Sequence, residues 1–140
     1  MTHHEHPDAA LVRRGYEAFG SGDMETLAGL MTSDCTHHVP GGSRIAGHYK
    51  GRDNVLGGYY AKLAELTGGT FRVELGDVFV DGRGHAMSVH RFHADRGDRG
   101  IEMAGGLFFT LVGGKITDID ECVADIVEAD SFWGREDDGA

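Results

Sequence analysis

A chain of 140 residues is long enough for one domain with a true hydrophobic core. Its 40% hydrophobic and 26% charged content, with 2 prolines, is that of a globular protein and not a disordered one. A formal net charge of -10 without a basic patch argues against a polyanion partner, because phosphate binding rests on clustered Lys and Arg.

Two cysteines, Cys35 and Cys122, are too few for a disulfide framework and stand in no metal-type spacing, which points to a reduced, cytoplasmic setting. The N-terminus shows no basic region followed by an apolar run, and no apolar stretch approaches the length of a membrane span. Neither a signal peptide nor a membrane partner is expected.

In chain order, His3, His4 and His6 read as a solvated terminus. A helix starts with Asp8 as its cap and carries Val12, Tyr16 and Phe19 on one stripe, and Gly20-Ser21-Gly22 ends it. Asp23 caps a second helix with Met24, Leu27, Leu30 and Met31 on its apolar face, stopped by Ser33-Asp34. A short strand follows, in which alternation puts His37 and Val39 on one face and His38 on the other. Pro40-Gly41-Gly42 breaks it into a loop. Asp53 caps a third helix that reaches about Leu66, with Val55, Leu56, Tyr59, Tyr60, Leu63 and Leu66 on a broad apolar face. The period then changes to two: Phe71, Val73 and Leu75 face one way, Arg72 and Glu74 the other. Glycine-rich turns at 81–84, 96–98 and 113–114 separate strands over 85–94, 101–112 and 115–123. Residues 124–133 make a short helix before an acidic tail.

This order of elements predicts a single α+β domain over 1–140, with an ordered core of about 8–133, whose helices gather on one face of a curved antiparallel sheet. A strongly bent sheet with helices in its concavity leaves a cone-shaped pocket suited to an apolar ligand.

Four segments carry a family resemblance: Tyr16-Glu17-Ala18-Phe19 followed by Gly22-Asp23, Asp34-Cys35-Thr36-His37, Pro40-Gly41 through Gly47, and Gly114-Lys115-Ile116. In their order and spacing the chain resembles the nuclear transport factor 2-like superfamily, which includes ketosteroid isomerases and SnoaL-like polyketide cyclases. The resemblance implies a cone-shaped barrel with three N-terminal helices packed in the concavity of a curved antiparallel sheet. It also implies a pocket for small apolar molecules and a homodimer formed through the outer sheet face. Reaction type does not follow from such a fold. The basic Asp of ketosteroid isomerases falls at Val39 and their protonated Asp near Gly106, neither of them acidic here, and their first-helix Tyr falls near Tyr16, one residue out of register. Steroid isomerisation by that mechanism is not expected. The acidic residue that SnoaL-like cyclases carry in the final strand corresponds to Glu121.

Anchored to that fold, the last strand turns Thr117, Ile119, Glu121 and Val123 inward, and the strand over 85–94 turns Met87, Val89, Arg91 and His93 inward. A one-residue shift would exchange the latter set for Ser88, His90 and Phe92. Glu121 is the leading acid/base candidate, since desolvation favours the neutral form of a carboxyl; a solvated or Arg-paired structural Glu is the alternative. Arg91 either orients Glu121 and stabilises a developing oxyanion, or pairs with a carboxylate on the outer face. His37 and His93 are proton carriers near neutral pH or hydrogen-bonded structure. His37, His93 and Glu121 would also compose a two-His-one-carboxylate set, but nothing in the spacing demands it, and no metal or other cofactor is expected. Tyr16, Val39, Tyr60, Val89, Phe108, Ile119 and Trp133 are expected as pocket wall. Gly41-Gly42 lacks the Lys and helix start of a phosphate loop.

The chain therefore reads as a cofactor-independent acid/base enzyme of isomerase, cyclase, hydratase or dehydratase type. It would act on a small apolar or polyketide-like molecule. A non-catalytic binding or accessory protein with the same pocket is the alternative. An assembly module, a third reading, requires the cone to be filled by Phe and Trp side chains.

Overall fold

The computed structural model describes residues 4–135; the expected positions of His3 and most of the acidic tail lie outside them. Helix α1 (Pro7–Ser21) begins two residues earlier than expected. His6, not Asp8, is its cap, accepting the Asp8 N–H at Nδ1 (3.1 Å), while Pro7 occupies the first turn, where a missing N–H costs nothing. Its inner stripe is Ala9, Val12, Gly15 and Ala18, with Tyr16 and Phe19 at the stripe's edge. In α2 (Met24–Gly29), Asp23 is the cap as expected, accepting from Thr26 N (3.1 Å). Met31 does not extend this helix. It opens strand β1 (Met31–Val39), 2% exposed against the core.

The sheet has six strands in the order β2-β1-β6-β5-β4-β3, and it is open, not closed into a barrel. β2 (Gly47–Lys50) pairs antiparallel with β1, and β1 pairs parallel with β6 (Lys115–Val123). β3 (Arg72–Val80), β4 (His85–Arg96) and β5 (Arg99–Val112) continue as the antiparallel meander read from the sequence. The β5–β6 hairpin turns on Gly113 (φ 58°) and Gly114 (φ 77°), the two left-handed positions that this tight turn requires.

The third helix starts as a π-helical stretch, Asn54–Tyr60, and continues as α3 (Ala61–Thr67); Asp53 makes no side-chain cap to it. A register shift between Leu75 and Val78 bends β3 and keeps Val78 and Val80 on the inner face. The final helix, α4 (Ile126–Trp133), is capped by Asp125 and closes one end of the cone with Phe132 and Trp133. Its last carbonyls are taken by Arg96, which donates to Phe132 O (2.6 Å) and Trp133 O (2.9 Å), and by Arg99, which donates to Ser131 O (3.1 Å). α1, the third helix and α4 thus cover the concave face, and the core divides into two clusters along the cone.

The β4 register is one residue off the expected one. Ala86, Ser88, Phe92 and Ala94 face the core, and Met87, Val89, Arg91 and His93 face out. Both faces of this strand are partly apolar, so alternation alone does not choose between them. Pairing does: Phe92 lies opposite Val73 and Met103, and Ser88 opposite Leu107.

Candidate functional site

Between the helices and the concave face lies a cavity of about 90 Å³, lined mainly by apolar side chains including Val12, Phe19, Leu63, Phe92, Leu107 and Phe109. The cone is therefore not filled by aromatic side chains, as an assembly module would need. Polar groups enter this apolar hollow in two places.

The first is built around Glu121 on β6. Tyr59 O–H donates to Glu121 Oε1 (2.7 Å), and His37 Nε2 lies 2.9 Å from the same oxygen. Among the described residues, Glu121 Oε2 has no hydrogen-bond partner. A carboxylate only accepts, so Nε2 of His37 carries the proton. The other ring nitrogen, Nδ1, lies 3.1 Å from the Tyr60 hydroxyl. His37 is 1% exposed, and the tyrosine rings pack edge-on against it, with centroids 4.8 Å (Tyr59) and 5.6 Å (Tyr60) away. Burial, reinforced by the Glu121 charge, pushes both tyrosine hydroxyls well above the ordinary range and keeps them protonated donors.

Local structure explains why two consecutive tyrosines reach one site. The i→i+5 pattern of residues 54–60 widens the turn, which reduces the rotation between neighbours compared with an α-helix. Tyr59 and Tyr60 can then both point at the β1–β6 seam. His37 reaches it because alternation turns it inward with Val39, while His38 faces out against His48, as expected.

The second polar place is at the α1–β4 contact. Tyr16 O–H lies 2.6 Å from Ser88 Oγ and 2.6 Å from His90 Nδ1. Burial pushes the Tyr16 hydroxyl up, against the lowering effect of the Ser88 bond. Burial also pushes the His90 imidazole down, partly offset by the Glu121 charge. Neither Ser88 nor His90 belongs to the expected set; their signal was present only as the alternative register of β4.

Of the residues selected from sequence, Glu121, His37, Tyr16, Tyr60, Ile119 and Trp133 line this cavity. Val39 is buried beside it in the second core cluster. Val89 (42% exposed) and Phe108 (41%) stand on the outer face. Arg91 is also outside, 3.5 Å from Glu102, and His93 lies between Glu74 (3.6 Å) and Glu102 (3.8 Å). The β4 register is the reason, and it separates His93 from His37 and Glu121, so the two-His-one-carboxylate set is not assembled. Thr117 is displaced likewise: a shift between Thr110 and Leu111 brings Ile116 to the cavity wall instead. Burial pushes the Cys35 thiol up to about 12, which leaves it an inert part of the core.

The fold and the cavity together define a class of protein, cone-shaped α+β domains with an apolar pocket. Residues 12–119 match the SnoaL-like domain, and the chain belongs to that family. An uncharacterised protein of Mycobacterium tuberculosis is 34% identical over 126 residues, spanning 90% of this chain and 95% of its own. Among solved structures, Bal32a, from a soil-derived mobile gene cassette, superposes with a TM-score of 0.89 at 37% identity, covering 91% of this chain and 97% of that one. A protein of unknown function with a cystatin-like fold from Xanthomonas campestris superposes with a TM-score of 0.82 at 26% identity, covering 90% and 97%. No described helix is long and apolar enough to cross a membrane.

Proposed function

We propose that the cavity is an acid/base active site acting, without a cofactor, on a small apolar or polyketide-like molecule. The observation that carries this reading is the bonding of Glu121. One oxygen is held by Tyr59 (2.7 Å) and His37 (2.9 Å), the other has no described protein partner, and the walls around them are apolar. Glu121 Oε2 removes a proton from the substrate. The protonated Glu121 then returns that proton to the substrate, while His37 and Tyr59 stay hydrogen-bonded to its other oxygen. Tyr59 keeps the carboxylate in one rotamer, so its free oxygen meets the substrate without further ordering.

Solvent deuterium incorporation tests this. A panel of small apolar compounds with acidic C–H bonds is incubated in D2O with the protein and followed by NMR. Wild type accelerates exchange for at least one of them, and Glu121→Gln loses about 10²- to 10⁴-fold of that rate. Saturable binding without any exchange would replace the enzyme by a binding protein using the same pocket.

The working unit in this proposal is a homodimer. The outer sheet face carries Phe79, Met87, Val89 and Phe108, and cross-strand pairing makes Phe79, Met87 and Phe108 neighbours. Sedimentation equilibrium of wild type and Met87→Glu tests this; a wild-type monomer at all concentrations would reject it.

A further inference from the structure

Two histidines and a carboxylate do not meet inside the cavity, but strand pairing brings such a set together on the opposite face of the sheet. His38 on β1 lies directly opposite His48 on β2, and on its other side opposite Asp120 on β6. All three side chains are exposed. Residues directly opposed across an antiparallel pair carry their Cβ atoms about 4.5–5.5 Å apart on one face, within reach of a shared ion.

None of the three is committed elsewhere. The two imidazoles contact each other edge-on, at 87°, with ring centroids 5.7 Å apart. Among the described residues, neither ring nor the Asp120 carboxylate has a hydrogen-bond or ion-pair partner. Asp118, the other outward carboxylate of β6, is by contrast bound by Thr36 Oγ1 (2.7 Å) and Thr117 Oγ1 (2.9 Å). Two imidazoles on one tetrahedral ion, each with a metal–nitrogen distance of about 2.0–2.1 Å, hold their ring centres roughly 5 Å apart. The observed spacing is a small side-chain rotation away from that. No three donors among the described residues already stand around one point. The chelate closes when the ion arrives, by rotation of exposed side chains that no other bond restrains.

We propose that His38, His48 and Asp120 form a surface site for a borderline divalent cation of the Zn²⁺ type, with water completing its coordination. Imidazole and carboxylate together suit such ions, whereas Mg²⁺ and Ca²⁺ take shells of oxygen. The ion fastens β2, a four-residue edge strand, to β1, whose inward-facing His37 holds Glu121. This site is independent of the acid/base reading. Alternation puts His38 and His37 on opposite faces, and the ion takes no part in the cavity chemistry.

A Zn²⁺ titration of the full chain, followed residue by residue in the imidazole ¹⁵N resonances, tests this. His38 and His48 shift together and saturate with a single affinity, while Mg²⁺ moves neither. His38→Gln and His48→Gln each weaken binding more than about 100-fold, since groups that merely orient a metal's ligands are already worth about 10- to 100-fold. Asp120→Asn, which keeps an oxygen but loses the charge, weakens it about tenfold. Amide hydrogen exchange at Tyr49 and Lys50 slows in saturating Zn²⁺ for wild type and not for His48→Gln. The wild-type titration needs no variant to decide the outcome. A response confined to His3, His4 and His6, shifts of His38 and His48 with different affinities, or an equal effect of Mg²⁺ overturns the proposal. So does an affinity unchanged in Asp120→Asn.

Discussion

His37 and Glu121, 84 residues apart in the chain, meet at 2.9 Å because β1 and β6 are parallel neighbours. His37 lies opposite Ile119, so Glu121, two residues further along β6, faces the same side and sits diagonally across from it. The seam joins the first strand of the sheet to the last.

Tyr59 and Tyr60 differ in what they hold, and their phenylalanine variants separate the two bonds. Tyr59→Phe removes a hydrogen bond to a carboxylate and is expected to cost about 1.5–3 kcal/mol of stability. Tyr60→Phe removes one to the His37 ring and is expected to cost about 0.5–1.5 kcal/mol. Urea denaturation at neutral pH measures both, and a larger loss for Tyr60→Phe contradicts the assignment of the charge to Glu121.

Stability is expected to fall on the acid side in a way that depends on His90. Its folded pKa lies below the ordinary 6.5, mainly through burial. Above 6.5 both folded and unfolded chains hold it neutral, and its contribution is fully present. As the pH falls from there, the unfolded chain takes the proton first, and stability declines until the folded state also protonates. Urea midpoints across this range are expected to decline less steeply for His90→Phe than for wild type. Identical slopes would show that His90 is not desolvated.

Gly41 is expected to resist substitution. Its φ is 96°, and a Cβ there would collide with Asp130 Oδ1, while Asp130 Oδ2 accepts Gly42 N–H at 3.0 Å. Gly41→Ala should cost about 1–3 kcal/mol from the backbone alone. Asp130→Ala loses the loop anchor but removes the clash, so the double variant is less destabilised than the sum of the singles. Additive losses in thermal denaturation would refute the contact.

Arg91 and His93, outward on β4, are expected to be dispensable for chemistry. Alanine at either leaves deuterium exchange unchanged, whereas His37→Gln lowers it by about 100-fold. Loss of exchange in Arg91→Ala, with ligand binding retained, would put the β4 register itself in question.

Residue chemistry close along the chain was legible without coordinates. Asp23 as a cap, the Gly113-Gly114 turn, the meander of β3 to β6, and His37 inward with His38 outward all depend on near neighbours and on a period of two or 3.6. Glu121 was placed on the inner face of the last strand through the family resemblance, and it lines the cavity. Three features were not legible. β2 is four residues at an edge, with no apolar alternation of its own. The wide turns at 54–60 share an apolar pattern with an ordinary helix, yet only they bring Tyr59 and Tyr60 to one seam. The face of β4 is decided by its partners, since Met87 and Val89 outward are as apolar as Ala86 and Phe92 inward. That last choice exchanged Arg91 and His93 for Ser88 and His90. Helix caps and tight turns satisfy their hydrogen bonds within a few residues, so the sequence by itself determined them. Strand register satisfies its bonds with a segment elsewhere in the chain, so only the tertiary structure decided which side chains share the cavity.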